Sequence, residues 1–337
     1  MQLLTGFLLV LIAGVLQGSF ILPMTIVKRW SWEHTWATFS LLGMFIFNWI
    51  ITLILIPNIF AVYSAAPERD LAIVALFGAG WGVGAVLFGM GMERLGMALG
   101  YPIIMGLIAS LGALLPLLVF FPQTIFSPKG LMLLAGTLLV IFGIVLCSKA
   151  GSRRVCQGDS LKSSESANLG SALLIAISAG VLSCLPNVGV VFASNITRIA
   201  EGLGVSPASS GNAVWALLFT MGFVVNFAYC VYLMLTRKTV GQYWNDQTAR
   251  NTGLSALMAA MWIGSFYLYG AGATKLGRLG LIVGWPLFIS LSIVVGNLWG
   301  LGRGEWNTAP RPARRLLNIG LLVLIAAVVV VALSNSF

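Results

Sequence analysis

The stretch that decides the fold occurs twice, as WGVGAVLFGMGMERLG at residues 81–96 and as WIGSFYLYGAGATKLG at residues 262–277. When the two copies are aligned, they share a tryptophan at the first position and glycines at the ninth and eleventh positions. Each copy also ends in a cation, Arg94 or Lys275, followed by Leu-Gly. An apolar, glycine-marked segment that recurs far along one chain indicates an internal duplication.

The composition places both copies in a membrane protein. The 337-residue chain is 59% hydrophobic and 8% charged, whereas soluble domains are about 25% charged. Its apolar residues come in uncharged runs of about 20 residues, the length that crosses roughly 30 Å of hydrocarbon as a helix. The runs are continuously apolar rather than alternating, so we predict an all-α integral membrane protein and not a barrel.

The hydropathy pattern predicts ten transmembrane helices. Their approximate bounds are 3–24, 37–61, 71–91, 98–121, 130–148, 170–193, 212–235, 253–273, 279–301 and 315–334. The second span contains Pro57, so we expect a kink near its end or a helix that stops before it.

The positive charges predict how these spans are oriented. Most of the 19 lysines and arginines lie in loops after odd-numbered spans. The exceptions are Arg69, Lys129, Arg198, Lys275 and Arg278. The positive-inside rule therefore puts the odd loops of this multi-pass protein in the cytoplasm and both termini outside. The net charge of +10 is interpreted as this signal and not as nucleic-acid binding.

A polar, Ser-rich segment divides the chain into two halves of five spans. We predict a first repeat at 1–148, a cytoplasmic linker at 149–169 and a second repeat at 170–337. A repeat with an odd number of spans enters the membrane from opposite sides in its two copies. The sequence therefore predicts an inverted repeat, which is common among secondary transporters.

Other short matches recur in the same order in the two halves. They are AGVLQ at 13–17 with AGVLS at 179–183, and GYP at 100–102 with GWP at 284–286. Several matches in the same order are stronger evidence for a duplication than any single match, because apolar sequences often resemble each other by chance.

Five polar junctions resemble a known family. They are KRWSWE (28–33), LIPNIFAVY (55–63), LFGAGWGVG (76–84), RLGMALG (94–100) and GEWNTAPRP (304–312). The chain resembles the bacterial L-rhamnose–proton symporters of the drug/metabolite transporter superfamily nearly end to end. The resemblance implies two inverted five-helix repeats around a central cavity and import of a deoxyhexose driven by protons across a bacterial inner membrane.

A neutral sugar needs partners for its hydroxyls and flat apolar surfaces for its C–H faces, which amide and aromatic side chains supply. Polar or aromatic residues near mid-span or at matching repeat positions are the candidates. We predict as substrate-binding Gln17, Trp81, Tyr101, Asn187, Trp262 and Trp285. The alternative for each is helix packing or anchoring at the membrane interface.

The acidic residues give one candidate for proton coupling. All nine fall in predicted loops or at span ends, whereas proton-coupled carriers usually keep an ionisable group inside the membrane. Glu93, at the end of the third span, is the best placed, and its alternative role is an interfacial partner of Arg94. A drug or metabolite exporter, or an uncoupled sugar facilitator of the same fold, therefore remains an alternative function.

The chain lacks the residue patterns of a membrane enzyme. It has one histidine, His34, and four cysteines that lie far apart, which is no metal pattern. We predict no enzymatic activity, no cofactor and no metal. The expected partners are a small sugar, a proton and the lipid bilayer.

Overall fold

The computed structural model describes residues 2–155, 169–277, 280–304, 306–307 and 309–333, and these ranges form helices without any strand. The α-helices are α1 (Gln2–Ser19), α2 (Trp32–Phe39), α3 (Asn48–Leu55), α4 (Ile59–Ala65), α5 (Glu68–Phe120), α6 (Pro128–Val155), α7 (Leu169–Ser183), α8 (Leu185–Phe192), α9 (Ser194–Gly202), α10 (Pro207–Ser210), α11 (Asn212–Thr236), α12 (Thr248–Lys275), α13 (Gly280–Gly302) and α14 (Arg311–Leu333). Shorter helical turns lie at Leu22–Ile26, Pro122–Thr124 and Val240–Tyr243, and a π-helix occupies Ser40–Phe47. The predicted all-α class is confirmed.

The described ranges contain nine helical segments that are long and apolar enough to cross a bilayer. The fourth predicted span corresponds to a shorter apolar helix, Ile104–Phe120. This helix and the third span, Glu68–Gly91, both belong to α5. A Cβ placed on Gly91 would lie 3.3 Å from Cδ1 of Ile104, whereas a straight helix would separate these residues by about 20 Å. The two segments of α5, Glu68–Gly91 and Ile104–Phe120, therefore lie side by side.

The second span runs continuously through α2, the π-helix and α3, from Trp32 to Leu55. It stops two residues before Pro57, as the sequence predicts, because the residue before a proline disfavours helical geometry. Its start differs from the prediction, since the helix begins at Trp32 and not at residue 37. Glu33 and His34 consequently lie in its first turn, buried from solvent.

Helices of the two halves of the chain pack against each other. In the first half, α1 contacts α12 and α13, while α7 contacts both ends of α5. One close approach is between Gly6 and Gly272, where a Cβ on either residue would lie 2.9 Å from the carbonyl oxygen of the other. Small residues allow helices in lipid to come this close, so a larger side chain at either position would force α1 and α12 apart.

The loops after the first, seventh and ninth spans meet at one face of the molecule. Arg29 forms an ion pair with Asp246, the Ser31 hydroxyl donates to Gln242 Oε1 at 2.7 Å, and Arg303 donates to Thr25. At the opposite face, Asn195 donates to Asp70 at 2.9 Å, joining the segments that follow even-numbered spans. We refer to these as the basic face and the opposite face.

Candidate functional site

A cavity of about 560 Å³ lies between the two halves of the chain and reaches the basic face. Its walls come from the end of α1 and the turn after it, from α2, α5 and α12, and from the last turns of α6 and α13. Arg303, exposed at the end of α13, marks its mouth. Sites for small molecules are usually between about 300 and 1,000 Å³, so the cavity has the size of a small-ligand site.

Two stacked tryptophans form part of the cavity wall. The rings of Trp81 on α5 and Trp262 on α12 lie 5.8 Å apart between centroids, with planes 15° from parallel. Phe39 packs edge-on against Trp262, with centroids 5.6 Å apart. A glycine on α11 makes room for this pair, because a Cβ on Gly222 would lie 2.5 Å from the Trp81 ring. The wall therefore offers a rigid aromatic surface.

Gln17, near the end of α1, is the amide closest to this surface among the predicted residues. It lines the cavity, and the Ser265 hydroxyl lies 2.8 Å from its Oε1 and 2.6 Å from the carbonyl oxygen of Trp262. A hydroxyl has a single hydrogen to donate. Whichever way the amide is turned, Ser265 engages only one of its two polar atoms, and the other is available to a ligand.

Other groups of the wall are polar without being predicted. Trp36 donates from Nε1 to Asn226 Oδ1 at 3.1 Å, and Trp299 donates to Ser19 at 2.7 Å. Asn297 donates from Nδ2 to the carbonyl of Ile293 at 2.9 Å, which leaves its Oδ1 as an acceptor. Sequence reasoning missed Trp36 and Trp299 because aromatic residues near span ends are typical of the membrane interface.

Asn187 and Trp285 lie outside the wall of this cavity, between the cavity and the opposite face. Asn187 is fully buried on α8 and donates to the carbonyl oxygens of Gly112 at 2.7 Å and Leu281 at 3.3 Å. Tyr269 donates its hydroxyl to Asn187 Oδ1. Trp285 donates to the carbonyl of Ile108 at 3.0 Å. We call Asn187, Tyr269 and Trp285 the seal, since they join α5, α8, α12 and α13 where the cavity ends.

The remaining two candidates, Tyr101 and Glu93, have side chains outside the part of the structure that is described. Their assignment to substrate and proton binding stays a prediction. The same holds for the ligand role of the five residues whose positions are given above: Gln17, Trp81, Asn187, Trp262 and Trp285.

A comparison with protein-family profiles matches residues 2–336 to the family described as L-rhamnose-proton symport protein (RhaT). The chain belongs to this family. A relative named L-rhamnose-proton symporter, from Escherichia coli strain 55989 / EAEC, is 29% identical over 334 residues, covering 96% of this chain and 95% of the relative. The relative of the same name from Escherichia coli O8 strain IAI1 matches equally.

Membership confirms the resemblance carried by the polar junctions and places the chain among transporters rather than enzymes. The match extends through both halves of the chain. Nine apolar segments in the described ranges fit a multi-pass membrane protein of this family.

Proposed function

We propose that this chain is a secondary transporter that moves L-rhamnose, or a closely related neutral deoxyhexose, together with protons across the bacterial inner membrane. The names of its relatives support the sugar and the proton. The structural observation that carries the proposal is the stacked pair Trp81 and Trp262 beside Gln17 in the cavity wall. An indole face packs against the C–H surface of a sugar ring, and an amide pairs with its hydroxyls.

Residues 1–148 and 170–337 form two inverted five-helix repeats in this proposal, joined by the linker at 149–169. Reciprocal packing supports it. The first helix of each half packs on the third and fourth spans of the other half, and α6 packs on α14, the last span of each half. Trp81 and Trp262, which occupy the same position in the two repeats, face each other as residues near a two-fold axis would. Inverted repeats of this kind place the substrate at their interface.

The conformation is inward-facing in this proposal. The cavity reaches the basic face, which the positive-inside rule assigns to the cytoplasm. The seal closes the other end with hydrogen bonds to buried backbone carbonyls. Alternating access then requires the seal to open while the two halves close over the mouth near Arg303.

Uptake of labelled L-rhamnose into proteoliposomes, with and without an inward proton gradient, tests this function. We expect the gradient to drive accumulation above the external concentration. An Escherichia coli relative reconstituted in parallel controls for vesicle quality. Uptake that only equilibrates would show an uncoupled facilitator, and no uptake by folded protein would show that the family membership does not fix the substrate.

A further inference from the structure

The first turn of α2 buries an acid and a base side by side. Glu33 is 1% exposed and His34 is 0% exposed. The other carboxylates with described side chains are exposed or half-exposed: Glu68, Asp70, Glu201 and Asp246. Glu33 is therefore the buried carboxylate of the described part of the chain. A carboxylate removed from water requires a cation, hydrogen-bond donors or a proton.

Glu33 has two hydrogen-bonding partners, and both of these contacts are long. Its Oε1 accepts from the Thr239 hydroxyl at 3.2 Å, and its Oε2 lies 3.3 Å from Nη1 of Arg237. Charge-assisted hydrogen bonds are usually about 2.7–2.9 Å long. The Arg237 side chain is 58% exposed at the end of α11. The guanidinium beside Glu33 is thus in contact with water on its other side.

His34 binds the same loop residue from the other side. Its Nε2 lies 2.8 Å from the carbonyl oxygen of Thr239. A carbonyl oxygen only accepts, so Nε2 carries a hydrogen and Nδ1 of the neutral ring is an acceptor. Nδ1 is buried and has no partner, and the same is true of Trp30 Nε1 beside it. Buried polar atoms are normally paired, so His34 Nδ1 and Trp30 Nε1 are each able to bind one further polar group.

The charged and titratable groups that face the cluster come from several elements. They are Cys230 on α11, Arg237 directly after α11, Tyr243 in the turn that follows, and the ion pair of Arg29 with Asp246 further out. On α12, Arg250 is exposed and binds Gln247. Burial raises the pKa of Tyr243, so its hydroxyl stays protonated and donates to the His34 carbonyl at 3.2 Å. Arg237 is consequently the cation paired with Glu33.

The cluster is one helical turn from the cavity. Trp36 lies three residues after Glu33, a spacing that places two side chains on one helix face about 5–6 Å apart. Trp36 lines the cavity and binds Asn226 on α11, while Glu33 binds Arg237 at the end of α11. A shift of α2 against α11 that closes the cavity mouth would therefore also change the distance between Glu33 and Arg237.

We propose that Glu33 is the carboxylate that carries the coupled proton, with Arg237 as the cation that displaces this proton in the inward-facing state. The proposal rests on the proton symport proposed above. When the cavity faces outside, Glu33 separates from Arg237 and takes onto a carboxylate oxygen a proton that reaches it from the outer solution through the cavity, past Trp36. When the cavity faces the cytoplasm, Arg237 returns, and the proton leaves to the cytoplasm. Thr239 and His34 are positioning residues that hold the loop against Glu33.

Two assays on the full-length protein in proteoliposomes test this assignment. Counterflow of labelled L-rhamnose without a proton gradient measures alternating access, and uptake under an inward proton gradient measures coupling. We expect Glu33→Gln to retain counterflow within about twofold of wild type and to lose gradient-driven accumulation. Glu33→Asp, which keeps a carboxylate, should retain accumulation in part. Glu68→Gln, an exposed acid at the start of α5, is the matched control and should resemble wild type.

Three results would overturn the proposal. The first is gradient-driven accumulation by Glu33→Gln. The second is loss of counterflow in both Glu33 variants, which would show a structural role. The third is loss of accumulation in Glu93→Gln while Glu33→Gln accumulates, which would place coupling at the other candidate. Absence of any rhamnose movement in the wild-type protein would instead reject the proposed substrate, so the two failures are distinguishable.

Discussion

Gln17 is the candidate residue whose proposed role in sugar binding can be measured apart from helix packing. One polar atom of its amide is engaged by Ser265 and the other is available to the cavity. Loss of one hydrogen bond to a sugar hydroxyl costs about 1–1.5 kcal/mol, which is roughly tenfold in affinity. We expect Gln17→Ala to raise the KM for L-rhamnose uptake by about tenfold. Gln123→Ala, an exposed residue between α5 and α6, is the control, and an equal KM in both variants would contradict the assignment.

A substitution at Gly222 tests the stacked pair of Trp81 and Trp262 without changing a residue that lines the cavity. A Cβ at this position would lie 2.5 Å from the Trp81 ring, so the ring has to move and its stacking on Trp262 is lost. We expect Gly222→Ala to lower the initial rate of rhamnose uptake severalfold at normal membrane abundance. Gly253→Ala on α12 is the control, because a Cβ there would meet no atom within 4 Å. Equal uptake rates in the two variants would show that the stacked geometry is unimportant.

At the residue scale, the sequence identifies side chains that are unusual for their surroundings. Gln17, Trp81 and Trp262 stand in apolar spans, and two of them recur at matching positions, so their placement in one cavity wall could be anticipated. The placement of Trp36 and Arg303 in the cavity wall could not be anticipated, because aromatic and basic residues near span ends are ordinarily explained by the membrane interface.

At the scale of the elements, the start of the second span shows what hydropathy leaves out. A span predicted from apolar residues begins at 37, after Glu33 and His34, whereas α2 begins at Trp32. These polar side chains enter the helix because Thr239, from a distant loop, binds both of them. A window of sequence contains no information about that loop. Sequence alone therefore places the buried acid Glu33 in the loop between the first two spans.

In the seal, the hydrogen bond from Tyr269 to Asn187 joins α12 to α8, and its removal can be tested. Tyr269→Phe removes the hydroxyl that donates to Asn187 Oδ1 and leaves a buried acceptor unpaired. Loss of the hydrogen bond to a buried acceptor costs about 1–3 kcal/mol. This cost destabilises the conformation in which the seal is closed. We expect a cysteine introduced at Leu281, in a cysteine-free background, to react several times faster with an external maleimide when Tyr269→Phe is present. Tyr232→Phe, an exposed tyrosine on α11, is the control, and equal reaction rates would mean that the hydroxyl does not hold the seal shut.

At the scale of the whole molecule, the arrangement of the spans follows from two patterns that the sequence carries over its full length. The duplicated stretch predicts that the halves are related, and reciprocal packing of α1 and α7 agrees with that relation. The helix count is less well defined, because the third and fourth predicted spans belong to one helix, α5, whose ends lie side by side. Charge alone gives the orientation, so this is the part of the topology that most needs a measurement.

The orientation predicts which loops face the cell exterior. Phe126, 86% exposed between α5 and α6, follows an even-numbered span, whereas Trp244, 82% exposed between α11 and α12, follows an odd-numbered one. In a cysteine-free protein, we expect Phe126→Cys to react with a membrane-impermeant maleimide in intact cells. Trp244→Cys should react only after the inner membrane is permeabilised, because its loop contains the excess of lysine and arginine that stays in the cytoplasm. The reverse labelling pattern would show that the molecule has the opposite orientation in the membrane. The cavity would then open to the outside, and Arg237 would displace the proton from Glu33 on the wrong side for import.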